Sequence, residues 1–295
     1  MRSLRSCSLK KLILHRWEVP FLLSSVIVQH KNGKKFDLDA LGYHVKTFEP
    51  WGSDWTQSST SINKYLLLDT SRKVQAKTAT LELNTMASDV TGLQLKFMDL
   101  TRVFNGEYNF YIYFAEIPHI RWEATVSGSP TFTMSGNSGF GSASIPLYFP
   151  KGFAETTHST GEIGSNIPAN QYPLGLFGLG THFEHGGENP IYSVVNEDTI
   201  KIFNPGNIAL RAKGLHGKII AENGSNFLIE NNTNGTKFTY NKSFGNLVLD
   251  GYICTVDGNF DYKNTDHGHI DIERGWNSFN VYGATRVSFD LRFYY

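Results

Sequence analysis

The last ten residues of the chain alternate without a break. Val287, Phe289, Leu291, Phe293 and Tyr295 fall on one side of an extended backbone, with Arg286, Ser288, Asp290 and Arg292 on the other. Period two over this length marks a strand with one buried face and one wet face. Phe279 with Val281, and before them Ile270 with Ile272, repeat the pattern, while Gly275 and Gly283 punctuate the runs. The sequence therefore predicts an antiparallel meander over 268–295. Its final strand is too apolar to hang free, so this part of the molecule closes only when its last residues are in place.

Composition agrees with a sheet protein. Aromatics make up 14% of the 295 residues and glycines number 28, against 18% charged residues, which suits strands and tight turns better than helices. That length predicts two domains or one large all-β domain. Lys and Arg together (27) balance Asp and Glu (27), so no net field draws the chain to nucleic acid or to an anionic membrane. No apolar run approaches the roughly 18 residues of a membrane-spanning helix, and no membrane insertion is expected. Two cysteines, Cys7 and Cys254, make neither a disulfide framework nor a metal cluster, and an intracellular site of assembly follows. Cys254, inside an apolar run, reads as a core residue.

At the start, Arg2, Arg5, Lys10, Lys11 and Arg16 precede or interrupt the short apolar runs Leu12–Leu14 and Phe21–Leu23. A secretory signal needs roughly 7–15 uninterrupted apolar residues. Residues 1–25 are therefore expected to be a disordered extension or an over-long start, with patterned sequence beginning at Val26.

From there SVIVQHKNGKKFDL predicts two short strands around the Asn32-Gly33 turn. The stretch 50–62, PWGSDWTQSSTSI, reads as a Ser/Thr-rich loop carrying Trp51 and Trp55. In a monomer these two would be core or lid residues; if exposed, they would be interface anchors. KVQAKTATLELNT (73–85) predicts a strand. Leu93, Phe97, Leu100 and Phe104 then recur at spacings of four, three and four, which is one helical face. Asp89 is placed to cap it and Asn105-Gly106 to stop it, so one helix is expected over 89–104. The aromatic run EYNFYIYFAEIP predicts a strand buried on both sides. A boundary is placed at Ser127. Residues 150–195 lack periodicity and read as a loop or arm inserted in the second domain. TIKIF, NIALRA, KIIA, FLIE, KFTY and LVLDGYICTV then predict short strands, with Asn223-Gly224, Asn234-Gly235 and Asp257-Gly258 at their turns.

Nothing in the chain organises chemistry. His267 and His269, two apart with Asp266 and Asp271 nearby, have the spacing of a strand-borne metal pair, but a polar hairpin rim explains them as well. His182, Glu184 and His185 lie in a glycine-rich stretch without the helical spacing of zinc hydrolases. There is no nucleophile elbow and no phosphate-cradling glycine motif. Asn223, Asn231, Asn234 and Asn241 open N-x-S/T triplets and read as turn residues. The expectation is a non-enzyme with no catalytic residue, no metal site and no cofactor.

Four stretches in order resemble the distal tail proteins (Dit) of siphophages that infect Gram-positive bacteria. The first is the strand–helix–strand unit from RKVQAKTATLELNT through LKFMDLTRVFNGEYNFYIYFAEIPHIRWEA. PKGFAETT at 150–157 follows, then IKIFNPGNIALRAKGLHGKIIAENGSNFLIENNTNGTKFTY, and last IDIERGWNSFNVYGATRVSFDLRFYY. The likeness covers residues 26–295. It implies a mostly β protein with an N-terminal β domain (26–126) that carries one helix and forms a homo-hexameric ring. It also implies a galectin-like C-terminal β-sandwich (127–295) into which 150–195 is inserted. Such a protein would be a baseplate hub of the virion, assembled in the bacterial host cytoplasm. Its partners would be the tail tube protein, a tail-associated lysin or fibre protein and, in some cases, a receptor-binding protein. The competing expectation is a carbohydrate-binding β-sandwich recognising a cell-wall saccharide through Trp51, Trp55 and Trp276, with Trp276 better suited to packing in its RGWN turn.

Overall fold

The computed structural model describes residues 25–63, 66–136, 139–162 and 190–295. Two buried clusters organise it. The first gathers Val26, Val28, Leu81, Leu83, Ile112, Ile145, Leu147 and Phe149 among others; the second gathers Ile219, Phe227, Ile229, Phe279, Phe289 and Phe293.

The first cluster lies under a nine-stranded antiparallel sheet. Its strands are β1 (Val26–His30), β2 (Lys35–Asp37), β3 (Tyr43–Thr47), β6 (Lys77–Met86), β7 (Phe110–Phe114), β8 (Ile120–Val126), β9 (Thr131–Met134), β10 (Phe140–Phe149) and β11 (Ala154–Thr156). They pair in the order β2-β1-β7-β8-β10-β6-β3, with β11 on β8 and β9 on β10. Asn32-Gly33 makes the expected hairpin turn between β1 and β2, with Gly33 at φ 87°. The expected helix is α1 (Val90–Val103), capped by Asp89, whose Oδ1 accepts from the Gly92 amide at 2.6 Å. Leu93, Phe97, Leu100 and Val103 are its buried face. It packs on β10 at Gly141, where a Cβ would come within 2.8 Å of the Phe97 ring. Helix and sheet meet there because the residue has no side chain.

Expectation and structure part company in four places. The stretch read as a loop, 50–62, contains β4 (Asp54–Asn63), which pairs antiparallel with β5 (Leu66–Gln75) as a separate two-stranded hairpin. Residues 54–61 are exposed throughout, so no alternation records the strand in the sequence. The first core does not end at Ser127: β10 pairs with β6 over ten positions, Ala143, Ile145, Leu147 and Phe149 fill the first core, and the two cores interleave at Phe153 and Ala154, which belong to the second and the first. The expected insertion 150–195 begins with β11 and a short 3-10 turn at Thr160–Glu162 and ends in β12 (Ser193–Val195), paired with the last long strand. The aperiodic middle of that stretch, with His182, Glu184 and His185, lies outside the described residues, as does all of 1–24.

The fourth difference concerns strand length. The second sheet contains β12, β13 (Thr199–Asn204), β14 (Lys218–Asn231), β15 (Lys237–Asp250), β16 (Ile253–Val256), β17 (Asn259–Phe260) and β18 (Gly275–Asp290). The runs KIIA and FLIE are one 14-residue strand, and the runs around Phe279 and Val287 are one 16-residue strand. The asparagine and glycine residues between them are bulges. Register shifts between Ser225 and Phe227, where Asn223 and Asn226 take φ 49° and 50° and Gly283 takes φ 80°. A side chain at Gly283 would also meet the Ser225 carbonyl oxygen at 2.4 Å. Bulges bend strands without ending pairing. The hydrogen-bonded order is a single path, β12-β18-β14-β15-β16-β17, with β13 also on β18. Asn231 ends β14 fully buried and Asn241 lies within β15, so only part of the asparagine set marks turns.

Candidate assembly surfaces

Trp51 and Trp55 are 57% and 55% exposed. Their settings differ. Trp51 lies parallel to Phe114 (centroids 5.2 Å, 9°) and edge-on to Trp122 (5.3 Å, 83°), and Phe48 closes the group against Phe114 at 5.4 Å. One face of the indole is thus seated on the first core. Its loop is held by Lys77, a residue the sequence reading passed over. Lys77 is 7% exposed, and its ammonium donates to the carbonyls of Pro50 and Gly52, and to that of Trp51 at 3.2 Å. Burial pushes the lysine below its ordinary pKa, with Asp54 opposing the shift. The signal was present in the sequence: Lys77, Ala79, Leu81, Leu83 and Thr85 share one strand face, and that face is the core side.

Trp55 faces another way. In the hairpin register Trp55 is opposite Val74 and Gln57 opposite Arg72, so the four share a face. Val74 packs against the second core. Trp55, Gln57 and Arg72 line a cleft of about 560 Å³ whose other wall is Asn207, Ile208, Ala209 and Arg274.

The two cores meet along the C-terminal residues. Tyr295 and Ala154 exchange backbone hydrogen bonds (3.0 and 2.9 Å), the Thr156 amide donates to Phe293, and Phe153 sits edge-on to Tyr294. Beside this seam lies a charged network. Glu155, 4% exposed, accepts from Arg121 Nε and Nη2 at 3.1 and 2.9 Å and from Lys151 Nζ at 2.7 Å. Lys151 also reaches Glu123 at 3.1 Å, and Glu123 accepts from Lys31 at 2.7 Å. Arg292 stands 3.8 Å from Glu155 and donates to the carbonyls of Thr156 and Thr157. Burial alone would raise both carboxyls. For Glu123 the bonds from Lys31, Lys151 and Asn109 outweigh it and bring the group down to about 2. For Glu155, Lys151 and Arg121 do the same, and it too lies below its ordinary value.

The remaining sequence candidates have other partners. His267 packs on Tyr262 (4.1 Å) and His269 on Tyr252 (5.0 Å), two different rings. Trp276 packs against Phe203 at 5.1 Å in the second core. Cys254 is fully buried, and its burial pushes the thiol up to about 11. Among the described residues no group of three or more His, Cys, Asp or Glu is arranged to hold a metal ion, and no helix is long and apolar enough to cross a membrane.

Residues 53–149 match the family model of the phage tail protein RIFT-related domain. Over 91% of its length the chain superposes on 99% of SPP1 Dit (gp 19.1), described as a paradigm of hub adsorption apparatus in Gram-positive infecting phages, with a TM-score of 0.56 and 10% identity. A chain of the phage P2 baseplate in its activated conformation with Ca aligns over 92% of this chain and 98% of its own, at TM-score 0.42 and 11% identity. No curated protein sequence matches the chain.

Proposed function

We propose that the chain is the structural hub subunit of a siphophage tail tip, joining the tail tube to a tail-associated lysin or fibre protein as a homo-hexameric ring. The observation that carries the ring is the β4–β5 hairpin. An isolated two-stranded hairpin is marginal in water, and along residues 54–61 this one buries neither face in its own chain. A second copy is the natural cover, because a ring repeats one heterologous contact between two different patches until it closes. Trp51 is the anchor in this reading: its indole is seated on Phe114 and Trp122 and still more than half exposed. Stable contacts of this kind bury roughly 1,200–2,000 Å² around a few such side chains. The resemblance to hub proteins supplies the number six and the partners.

The test is electron microscopy and light scattering of the purified chain at high concentration. Six-fold rings are expected, and Trp51→Ala is expected to raise the concentration needed for assembly at least tenfold. A strictly dimeric or trimeric particle overturns the hub reading. Rings indifferent to Trp51→Ala overturn the anchor alone.

A further inference from the structure

The cleft between the hairpin and the second sheet has a composition that the hub role does not use. We propose that it is a binding site for an anionic saccharide, with Trp55 as the stacking platform and Arg274 as the partner of the acid group. The cleft of about 560 Å³ adjoins a second of about 420 Å³ lined by Phe203, Asn204, Pro205, Gly206, Asn207, Glu273, Arg274 and Gly275. Asn207 and Arg274 line both, so the two form one continuous groove. That size suits a small oligosaccharide.

Its chemistry selects the ligand. An exposed indole offers a flat apolar surface with a polar edge, which fits the C–H face of a pyranose ring. Asn207, exposed where the two halves of the groove join, places a carboxamide able to donate to and accept from hydroxyl groups. Arg274 lines both halves of the groove, and the oxygens of Glu273, the acid among the lining residues, are already taken by Arg211 Nη1 and Nη2 at 2.5 and 2.9 Å. Arg274 is exposed and makes no ion pair or hydrogen bond to the described residues. A guanidinium presents a fork matched to a carboxylate or phosphate. The groove has no deep apolar hole for a peptide anchor, since its apolar walls are small (Ile208, Ala209, Pro205) apart from Trp55 and the packed Phe203. Trp51, the proposed ring anchor, lies outside the cleft, whereas Trp55 and Gln57 belong to the hairpin on which the ring reading rests.

The experiment is calorimetric titration of the purified full chain with trigalacturonate, with glucose 6-phosphate, and with neutral maltotriose, inorganic phosphate and hexaglutamate as controls. Binding of trigalacturonate or glucose 6-phosphate is expected, weakened at least tenfold by Trp55→Ala, by Arg274→Gln and by raising salt from about 0.05 to 0.5 M. Which of the two binds tells carboxylate from phosphate. Maltotriose is expected to bind at least tenfold more weakly. Thermal unfolding of both variants, and light scattering showing that Trp55→Ala still assembles, separate a lost site from a lost fold or ring. Failure of both acidic sugars to bind overturns the proposal, as does binding indifferent to both substitutions. Inorganic phosphate binding as tightly, independently of Trp55, reduces the groove to a plain anion site. Hexaglutamate binding more tightly with the same dependence assigns it to a protein partner.

Discussion

At the scale of single residues, Lys77 shows how a buried charge can serve a surface. Among the described residues its ammonium has no carboxylate within hydrogen-bond reach, and it gathers three backbone carbonyls from one turn, at Pro50, Trp51 and Gly52. Charge-assisted bonds to a buried cation contribute roughly 1.5–3 kcal/mol each, and the desolvation of the ammonium opposes them. Lys77→Met keeps the stem volume and removes the donors. Because Trp51 and Gly52 are exposed, water takes over part of the lost bonding. The expected loss is therefore about 1–2 kcal/mol in denaturant unfolding, with Trp51 fluorescence shifting as its ring leaves Phe114. Assembly of the ring should weaken in parallel. Unchanged stability and unchanged fluorescence would show that the loop holds its shape without the lysine.

At the scale of elements, the sequence was legible wherever a face is buried. Helix α1 was readable from its four-three-four spacing because Leu93, Phe97 and Leu100 all meet the sheet. The C-terminal run was readable because Val287 and Phe289 in β18, and Leu291 and Phe293 beyond its end, all enter one core. Strand β4 was illegible for the opposite reason: with residues 54–61 exposed, it leaves no apolar period. The bulges misled in a subtler way, since asparagine and glycine favour positive φ equally in a turn and in a kinked strand. Of the candidate site, Trp51 and Trp55 stood out as tryptophans in a polar stretch, whereas their divergent settings depend on pairing with β5 and could not be read locally. Neither could Arg274 opposite Trp55, more than 200 residues away in the chain.

The buried end of β18 also sets a test of independence between the two cores. Phe289 is 1% exposed and lies 5.0 Å from Phe279. Phe289→Asp places an unpartnered carboxylate there at a cost of several kcal/mol, comparable with the stability of a whole domain. The expected outcome is loss of protease resistance over 199–295 while the helical signal of α1 at 222 nm persists. Simultaneous loss of both would mean that the seam through Ala154 and Tyr295 makes one cooperative unit of the molecule.

At the scale of the whole molecule, that seam is where acid should act. Glu123 and Glu155 are held by Lys31 from the β1–β2 turn, Lys151 from the β10–β11 connection, Arg121 from β8 and Arg292 near the end of the chain, so the network ties elements of both cores. Both carboxyls titrate below their ordinary value of 4.5 in the folded state, Glu123 at about 2. The unfolded chain therefore binds more protons than the folded one in this range. The stabilisation they give is complete above about pH 4.5 and is lost as pH falls toward 2. With allowance for solvent screening, Glu123 accounts for roughly 2 kcal/mol of it. Removing one partner of a buried pair costs more than the pair contributes, because the remaining charges stay buried. Glu155→Ala, which leaves Arg121 and Lys151 facing each other, is thus expected to lose about 3–5 kcal/mol at neutral pH. The isosteric pair Glu123→Gln with Glu155→Gln should melt lower at pH 7 and show a much flatter dependence between pH 5 and 3. Calorimetric melting across that range reads both effects. A double variant with the same slope as the parent chain would place the acid-sensitive groups elsewhere and leave the network a structural bystander.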